Sequence, residues 1–105
     1  MRIALALALL FAPIASALAE DSDVPPFDIN GAWTCIQQCE MAPQGYATQV
    51  VQNGRKFVFI DELGNKEPAE WMGGGQISFV GCDNDAILSP DLKRLDFIFG
   101  SVWVR

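Results

Sequence analysis

The sequence predicts an all-β domain, a small antiparallel up-and-down β-barrel of about eight short strands. Three observations carry that expectation. Turn residues recur from Ile29 onward at about ten-residue spacing, with short apolar-rich runs between them. No stretch after the first nineteen residues places apolar side chains at a helical period. Asn53-Gly54 sits between two such runs, and Asn-Gly there is the strongest short-range hairpin signal, because both turn positions favour positive φ.

Residues 1–19 read as a cleaved export signal. Arg2 gives a positive start, Ile3 to Ala12 is apolar, and Ala17-Leu18-Ala19 matches the small-x-small pattern of signal peptidase. The cut is expected between Ala19 and Glu20. A membrane span needs ~20 apolar residues. This run is shorter and Pro13 interrupts it, so no membrane association is expected after cleavage. The expected location is periplasmic or secreted. Glu20 to Asp28 is an acidic leader containing Pro25-Pro26, extended, with Phe27 available to pack on the barrel. The barrel domain is expected over 29–105.

Ile29 to Gln37 is the first strand. Gly31, Trp33 and Cys35 share one face, and Ala32, Thr34 and Ile36 share the other. Gln38 to Gly45 is loop. Tyr46 to Gln52 and Lys56 to Ile60 flank the Asn53-Gly54 turn. Asp61 to Asn65 turns the chain into a fourth strand, Glu67 to Met72, entered through Pro68. Proline there suits an edge strand or a first strand position, since it has no N–H to donate. Gly73-Gly74-Gly75 leads to the fifth strand, Gln76 to Val80, and Gly81 to Asn84 to the sixth, Asp85 to Ser89. Pro90-Asp91 opens a turn, with a single 3₁₀ turn expected over Asp91–Leu95. Arg94 to Ile98 is the seventh strand, Gly100 breaks it, and Ser101 to Arg105 is the last. Pairing first strand with last would close the barrel and remove exposed edges.

The formal net charge is −6, and loss of Arg2 with the signal makes the mature chain one unit more negative. Nucleic acids and anionic membranes attract basic patches, so neither is an expected partner. The acid serves solubility or, on a sharper reading, a basic partner. A domain of this size has a thin margin from burial alone, so a covalent staple would help. Cys35, Cys39 and Cys82 allow three pairings, each leaving one thiol over. Cys35–Cys39 suits a turn at the end of the first strand, and Cys39–Cys82 is the alternative. Export supplies an oxidising compartment in which either persists. The spare thiol is expected to be a small buried apolar group or, alternatively, an intermolecular disulfide.

Zinc is not expected, because the chain has no His and its thiols lack a fourth ligand. No metal or cofactor is assigned. The lack of His also removes the commonest general base and the Ser–His and Cys–His nucleophiles. Asp61, Glu62, Glu67 and Glu70 read as solvated charges. Asp83-Asn84-Asp85 reads as Asx residues at a turn, since the rest of a calcium loop is missing. No catalytic residue is expected.

Gly31-x-Trp33 on the first strand, with Arg105 on the last, resembles the lipocalin and calycin signature. The resemblance implies barrel-closing packing by Gly31, Trp33 and Arg105, with the guanidinium stacked on the indole while donating to backbone carbonyls. The chain is shorter than a typical lipocalin and lacks the long first loop. A wider likeness, over nearly the whole mature chain, is to small exported proteins of α-proteobacteria. Its residues here are Trp33-Thr34-Cys35, Cys39, Asn53-Gly54, Trp71 and Gly100-Ser101-Val102-Trp103-Val104-Arg105. That family brings no function with it. Its usual two cysteines favour Cys35–Cys39 and leave Cys82 as the extra.

Strands of this length span only ~17–20 Å, so the interior would be small. Trp33, Phe57, Phe59, Trp71, Phe79 and Phe97 would fill most of it. Phe57-Val58-Phe59-Ile60 and Leu95-x-Phe97-Ile98-Phe99 are apolar on both faces. A barrel wall so built calls for cover: the leader with Phe27, a protein partner, or a second copy. Phe57, Phe59, Phe97, Phe99 and Trp103 form the candidate interaction surface. The expected function is an exported, non-enzymatic, protein-binding module, an inhibitor or assembly factor. The alternative is a calycin-like carrier of a small apolar ligand.

Overall fold

The computed structural model describes residues 24–40 and 46–105. The expected signal segment, the first leader residues and loop residues 41–45 lie outside the described residues. The described chain is all strand and turn, with no helix. In order the strands are β1 (Gly31–Gln37), β2 (Tyr46–Asn53), β3 (Lys56–Ile60), β4 (Lys66–Gly73), β5 (Gln76–Phe79), β6 (Asp85–Leu88), β7 (Arg94–Phe97) and β8 (Val102–Val104). They form one closed barrel in which each strand pairs antiparallel with its neighbours in sequence. β1 closes on β8 through Thr34↔Val104, Cys35↔Trp103 and Gln37↔Val102, with a bulge between Cys35 and Gln37. The expected up-and-down barrel is therefore the fold, and its closing pair is first strand with last.

Alternation decides what lies inside. Trp33 and Cys35 point inward from β1 and are 1% exposed, while Ala32, Thr34 and Ile36 face out. Phe57 and Phe59, each 2% exposed, do the same from β3. Ala69, Trp71, Ile77, Ala86, Leu88, Leu95, Phe97 and Trp103 complete a continuous core. The rings are in mutual contact: Phe59 lies 5.0 Å from Phe79 and 5.7 Å from Phe97, and Phe97 lies 5.0 Å from Trp103. Burying a large side chain of this kind contributes on the order of 1.5–3 kcal/mol. These side chains fill the middle of the barrel.

Several local expectations need correction. The β2–β3 hairpin forms, but its turn slides by one residue. Asn53 pairs with Lys56, so Gly54 and Arg55 make the turn. Only Gly54 has positive φ, at 64°. Glycine in the first of two turn positions satisfies the strand twist without needing Asn53 to leave the ladder.

Pro68 is neither an edge residue nor the first of its strand. It lies third in β4, opposite Val58. Its carbonyl accepts from the Val80 N–H at 2.9 Å. The imide nitrogen faces the same side, where β5 pairing starts only at Ala69↔Phe79. The missing N–H therefore falls at the end of a ladder, where it costs only the reciprocal bond to the Val80 carbonyl.

Ile29 is not in β1. It is fully buried beneath the strand, and the chain swings into β1 at Gly31, whose φ of 119° only glycine adopts without strain. The single 3₁₀ turn over Asp91–Leu95 is absent. An ordinary turn closes there through Leu92 N–H to Ser89 C=O at 2.9 Å. Phe27 does not cover the outer wall. Its ring enters the end of the barrel, 6.3 Å from Phe57 and 6.4 Å from Trp71, both inward-facing.

Candidate functional site

The up-and-down path sends alternate connections to opposite ends of the barrel. One end collects the leader, the 54–55, 73–75 and 89–93 turns, and Arg105. The other collects the β1–β2, β3–β4, β5–β6 and β7–β8 connections.

The first end is sealed. The Trp33 Nε1–H donates to the Ile29 carbonyl at 2.9 Å. The Arg105 guanidinium sits over the indole, 4.7 Å from the ring centroid. It donates to the carbonyls of Leu92, at 2.8 Å, and Asp28, at 3.3 Å. Gln52 ties the leader to β2: its Oε1 accepts from Ile29 N–H and its Nε2 donates to the Phe27 carbonyl, both at 2.9 Å. The Asn30 backbone N–H and then its side-chain amide, with Arg105 as a smaller contributor, hold the Asp28 carboxyl below its ordinary value. Gly31, Trp33 and Arg105 are thus brought together here.

The second end carries an opening among the described residues. A cleft of about 410 Å³ enters the barrel between the four connections. Its floor is aromatic, built from inward-facing Phe59, Phe79, Phe97 and Trp103. The Cys35–Cys39 disulfide forms part of one wall. Glu40, Asp61, Glu62, Glu67, Asn84 and Phe99 stand on the walls and rim. The disulfide holds the start of the β1–β2 connection against the barrel. The Ser101 hydroxyl donates to the Gln38 carbonyl at 2.8 Å, and Gln37 Nε2 donates to the Gly100 carbonyl at 3.0 Å.

The rim carboxylates have different duties. Asp61 caps its own turn, accepting from the Leu63 and Asn65 backbone N–H groups at 2.9 Å. Glu62 accepts from the Glu40 backbone N–H. The Glu67 carboxylate makes no hydrogen bond or ion pair among the described residues. Charge is divided between the ends: Arg55, Lys56, Lys93, Arg94 and Arg105 all lie toward the sealed end, and Lys66 is the basic residue near the mouth.

The disulfide sulfurs and a Glu62 carboxylate oxygen lie within 4.8 Å of one another. Sulfurs joined to each other are not thiolates, and thiolates are what bind metal. The trio therefore lacks the donors of a metal site.

The candidate interaction surface is corrected by this geometry. Phe57, Phe59, Phe97 and Trp103 are interior, and of the set only Phe99, 67% exposed, faces solvent. Where both faces of a strand are apolar, the rings take the inside and the aliphatics Val58, Ile60 and Ile98 take the outside. Phe59, Phe97 and Trp103 still border the second end, as the cleft floor. Cys82 is also corrected: its thiol is free and exposed, on the rim rather than in the core.

Glu40, Glu67 and Asn84 were missed as mouth residues. Glu67 had a usable signal. It lies two residues before Ala69 and four before Trp71, so it shares their inward face and turns its carboxylate into the opening. Glu40 and Asn84 come from connections, where no period reports direction.

Set against known proteins, the chain matches no protein-family model, no curated protein and no solved structure.

Proposed function

We propose that the protein is an exported, non-enzymatic binding module that takes a segment of another polypeptide in the open mouth of its barrel. One observation carries this: the sealed end is fully packed and hydrogen-bonded, whereas the mouth leaves an aromatic floor under an acidic rim. Aromatic anchors set in a polar rim are what protein-binding surfaces share. Exposed Leu63, Val80, Ile98 and Phe99 around the mouth extend the apolar area beyond the cleft itself. That favours an extended partner over a small apolar ligand, and the filled interior leaves a carrier no enclosed chamber.

Export is supported by the character of residues 1–19 and by the disulfide, which persists in oxidising compartments. The absence of enzymatic chemistry is supported by a chain without His and by mouth carboxylates that cap turns or loops. The likeness to calycins rests on Gly31, Trp33 and Arg105 packing at one barrel end. The likeness to the exported α-proteobacterial family rests on the residues quoted above, with Cys35 and Cys39 as its cysteine pair.

The test is selection of a displayed random peptide library on the immobilised mature protein. Cys82 supplies the control, since a bulky maleimide coupled there blocks the rim without changing the sequence. Enriched peptides that lose binding on labelling are the expected result. No enrichment, or binding indifferent to the label, removes the proposal. Sedimentation of the protein alone over a wide concentration range separates a foreign partner from a second copy.

A further inference from the structure

We propose that Asn53 is a modification site, where the chain converts its own side-chain amide to an aspartyl or isoaspartyl linkage without an enzyme. The sequence holds two Asn-Gly pairs, Asn30-Gly31 and Asn53-Gly54. Asparagine is thermolabile because the next backbone nitrogen can attack its side-chain carbonyl. A following glycine has no Cβ to crowd that attack. By sequence the two pairs are equally reactive, and the structure separates them. The Asn30 amide is bonded at both its polar atoms. Its Nδ2 donates to Asp28 Oδ1 at 2.9 Å and to the Gln52 carbonyl at 3.3 Å. Its Oδ1 accepts from the Gln52 N–H at 2.6 Å. Gly31 pairs with Val50 inside the β1–β2 ladder. Asn53 is the reverse case. It is exposed, its side chain makes no hydrogen bond among the described residues, and Gly54 stands exposed in the turn. Beyond its chain neighbours, no atom lies within 4 Å of where a Cβ on Gly54 would sit. The Gly54 N–H has no acceptor among the described backbone carbonyls.

The step balances without an oxidant or reductant. The Gly54 nitrogen gives up its proton and bonds to Asn53 Cγ, the bond from Cγ to the amide nitrogen breaks, and ammonia leaves with that proton. One water molecule then opens the cyclic succinimide at either carbonyl. Opening at the side-chain carbonyl leaves aspartate. Opening at the backbone carbonyl leaves isoaspartate, with an extra carbon in the main chain. Attack requires rotation about the Cα–C bond of Asn53, which breaks only the terminal Asn53↔Lys56 pair of the β2–β3 ladder. Terminal pairs are the first to open. The same motion at Asn30 would strip three side-chain hydrogen bonds and displace Gly31 from Val50. A main chain lengthened at residue 53 no longer fits its ladder pair. The next residue inward is Gln52, whose side chain holds Phe27 and Ile29 and whose backbone holds Asn30. Conversion at Asn53 therefore loosens the clasp on the leader at the sealed end.

The experiment ages the mature protein at mildly alkaline pH, beside a sample unfolded in guanidinium chloride. Fragmentation mass spectrometry locates each amide-to-acid change. A purified isoaspartate methyltransferase, which transfers labelled methyl groups to isoaspartyl carboxylates, measures that product. In the folded protein Asn53 should convert about tenfold faster than Asn30 or more, given the hydrogen bonds that must break at Asn30. In the unfolded chain the two should convert at similar rates. Asn53→Gln lengthens the side chain, so that attack would close a larger and less favourable ring. It should abolish the fast reaction and leave folding intact, since the residue is exposed. Hydrogen exchange at Phe27 to Asn30 should quicken as the protein ages, and should not in Asn53→Gln. Folded protein in which Asn30 keeps pace with Asn53, or in which Asn53 stays intact while the unfolded chain converts, overturns the inference. Leader exchange that is unchanged in fully converted protein overturns the loosened clasp.

Discussion

The same eight strands make both ends of this barrel, yet the ends are finished in opposite ways. At the sealed end the leader runs under β1, and every conspicuous polar group meets a partner: Trp33 Nε1 on Ile29, Gln52 on Phe27 and Ile29, Arg105 on Leu92 and Asp28. At the mouth, a cleft lies over rings that are themselves almost fully buried, and the Glu67 carboxylate lacks a protein partner among the described residues. Stability is concentrated where packing is complete; in the function proposed above, binding belongs where it stops. Small barrels have too little core to leave both ends unfinished.

Substitutions at the two ends should therefore differ most. Trp33→Ala removes the indole that fills the sealed end and should cost about 3–5 kcal/mol in denaturant unfolding. Phe99→Ala, at the rim, should change stability by no more than about 0.5 kcal/mol. Equal losses at the two positions would break the comparison. Replacing Cys35 and Cys39 together by Ser opens a five-residue loop. Such a loop is worth about 2 kcal/mol in chain entropy. This variant should also blunt peptide capture, because the disulfide is a wall of the cleft, and parallel melting and binding curves will show whether both fall.

Gln52→Ala removes two of the side-chain hydrogen bonds that hold the leader and should cost about 1–2 kcal/mol. Hydrogen exchange should locate the loss at Phe27 to Asn30 and not at the mouth; faster exchange in the β7–β8 connection would contradict the division.

The smallest effect concerns acid. Asp28 accepts from Asn30, and Asp91 accepts first from the Ser89 hydroxyl and then from the Lys93 backbone N–H, so both are held below the ordinary 3.8. Folded values below unfolded ones mean that their stabilisation is complete above the ordinary value and is lost as pH falls through the folded values. Melting temperature should be flat from neutral down to about pH 5 on their account and decline below about pH 4. Asp28→Asn should shallow that decline, and an unchanged slope would remove Asp28 from the account. Both groups are exposed, so the decline they cause is slight.

The fold was legible because its signals are local. Turn residues between short apolar runs marked nearly every strand to within two residues, and alternation along β1 placed Trp33 and Cys35 inside. Errors arose where a local rule had two solutions. Phe57-Val58-Phe59-Ile60 is apolar on both faces, so alternation could not choose the inner one; ring volume did. Pro68 suggested an edge, and closure of the barrel supplied instead the end of a ladder, where the missing N–H forgoes a single bond. Asn53-Gly54 located the hairpin but not the residue at which it turns. The mouth was much less legible. Glu40, Glu67 and Asn84 are scattered along the chain and become neighbours only when β1 meets β8. Only Glu67, through its parity with Ala69 and Trp71, carried a trace of its role.

The contact between Arg105 and the Asp28 carbonyl puts the leader and the C-terminal residue side by side at one pole of the barrel. Whatever is spliced to either of them, whether a spacer, a neighbouring module or a surface tether, hangs from that pole. The aromatic cup at the antipode then points away from the attachment, with its orientation set by topology and not by the length of the leash.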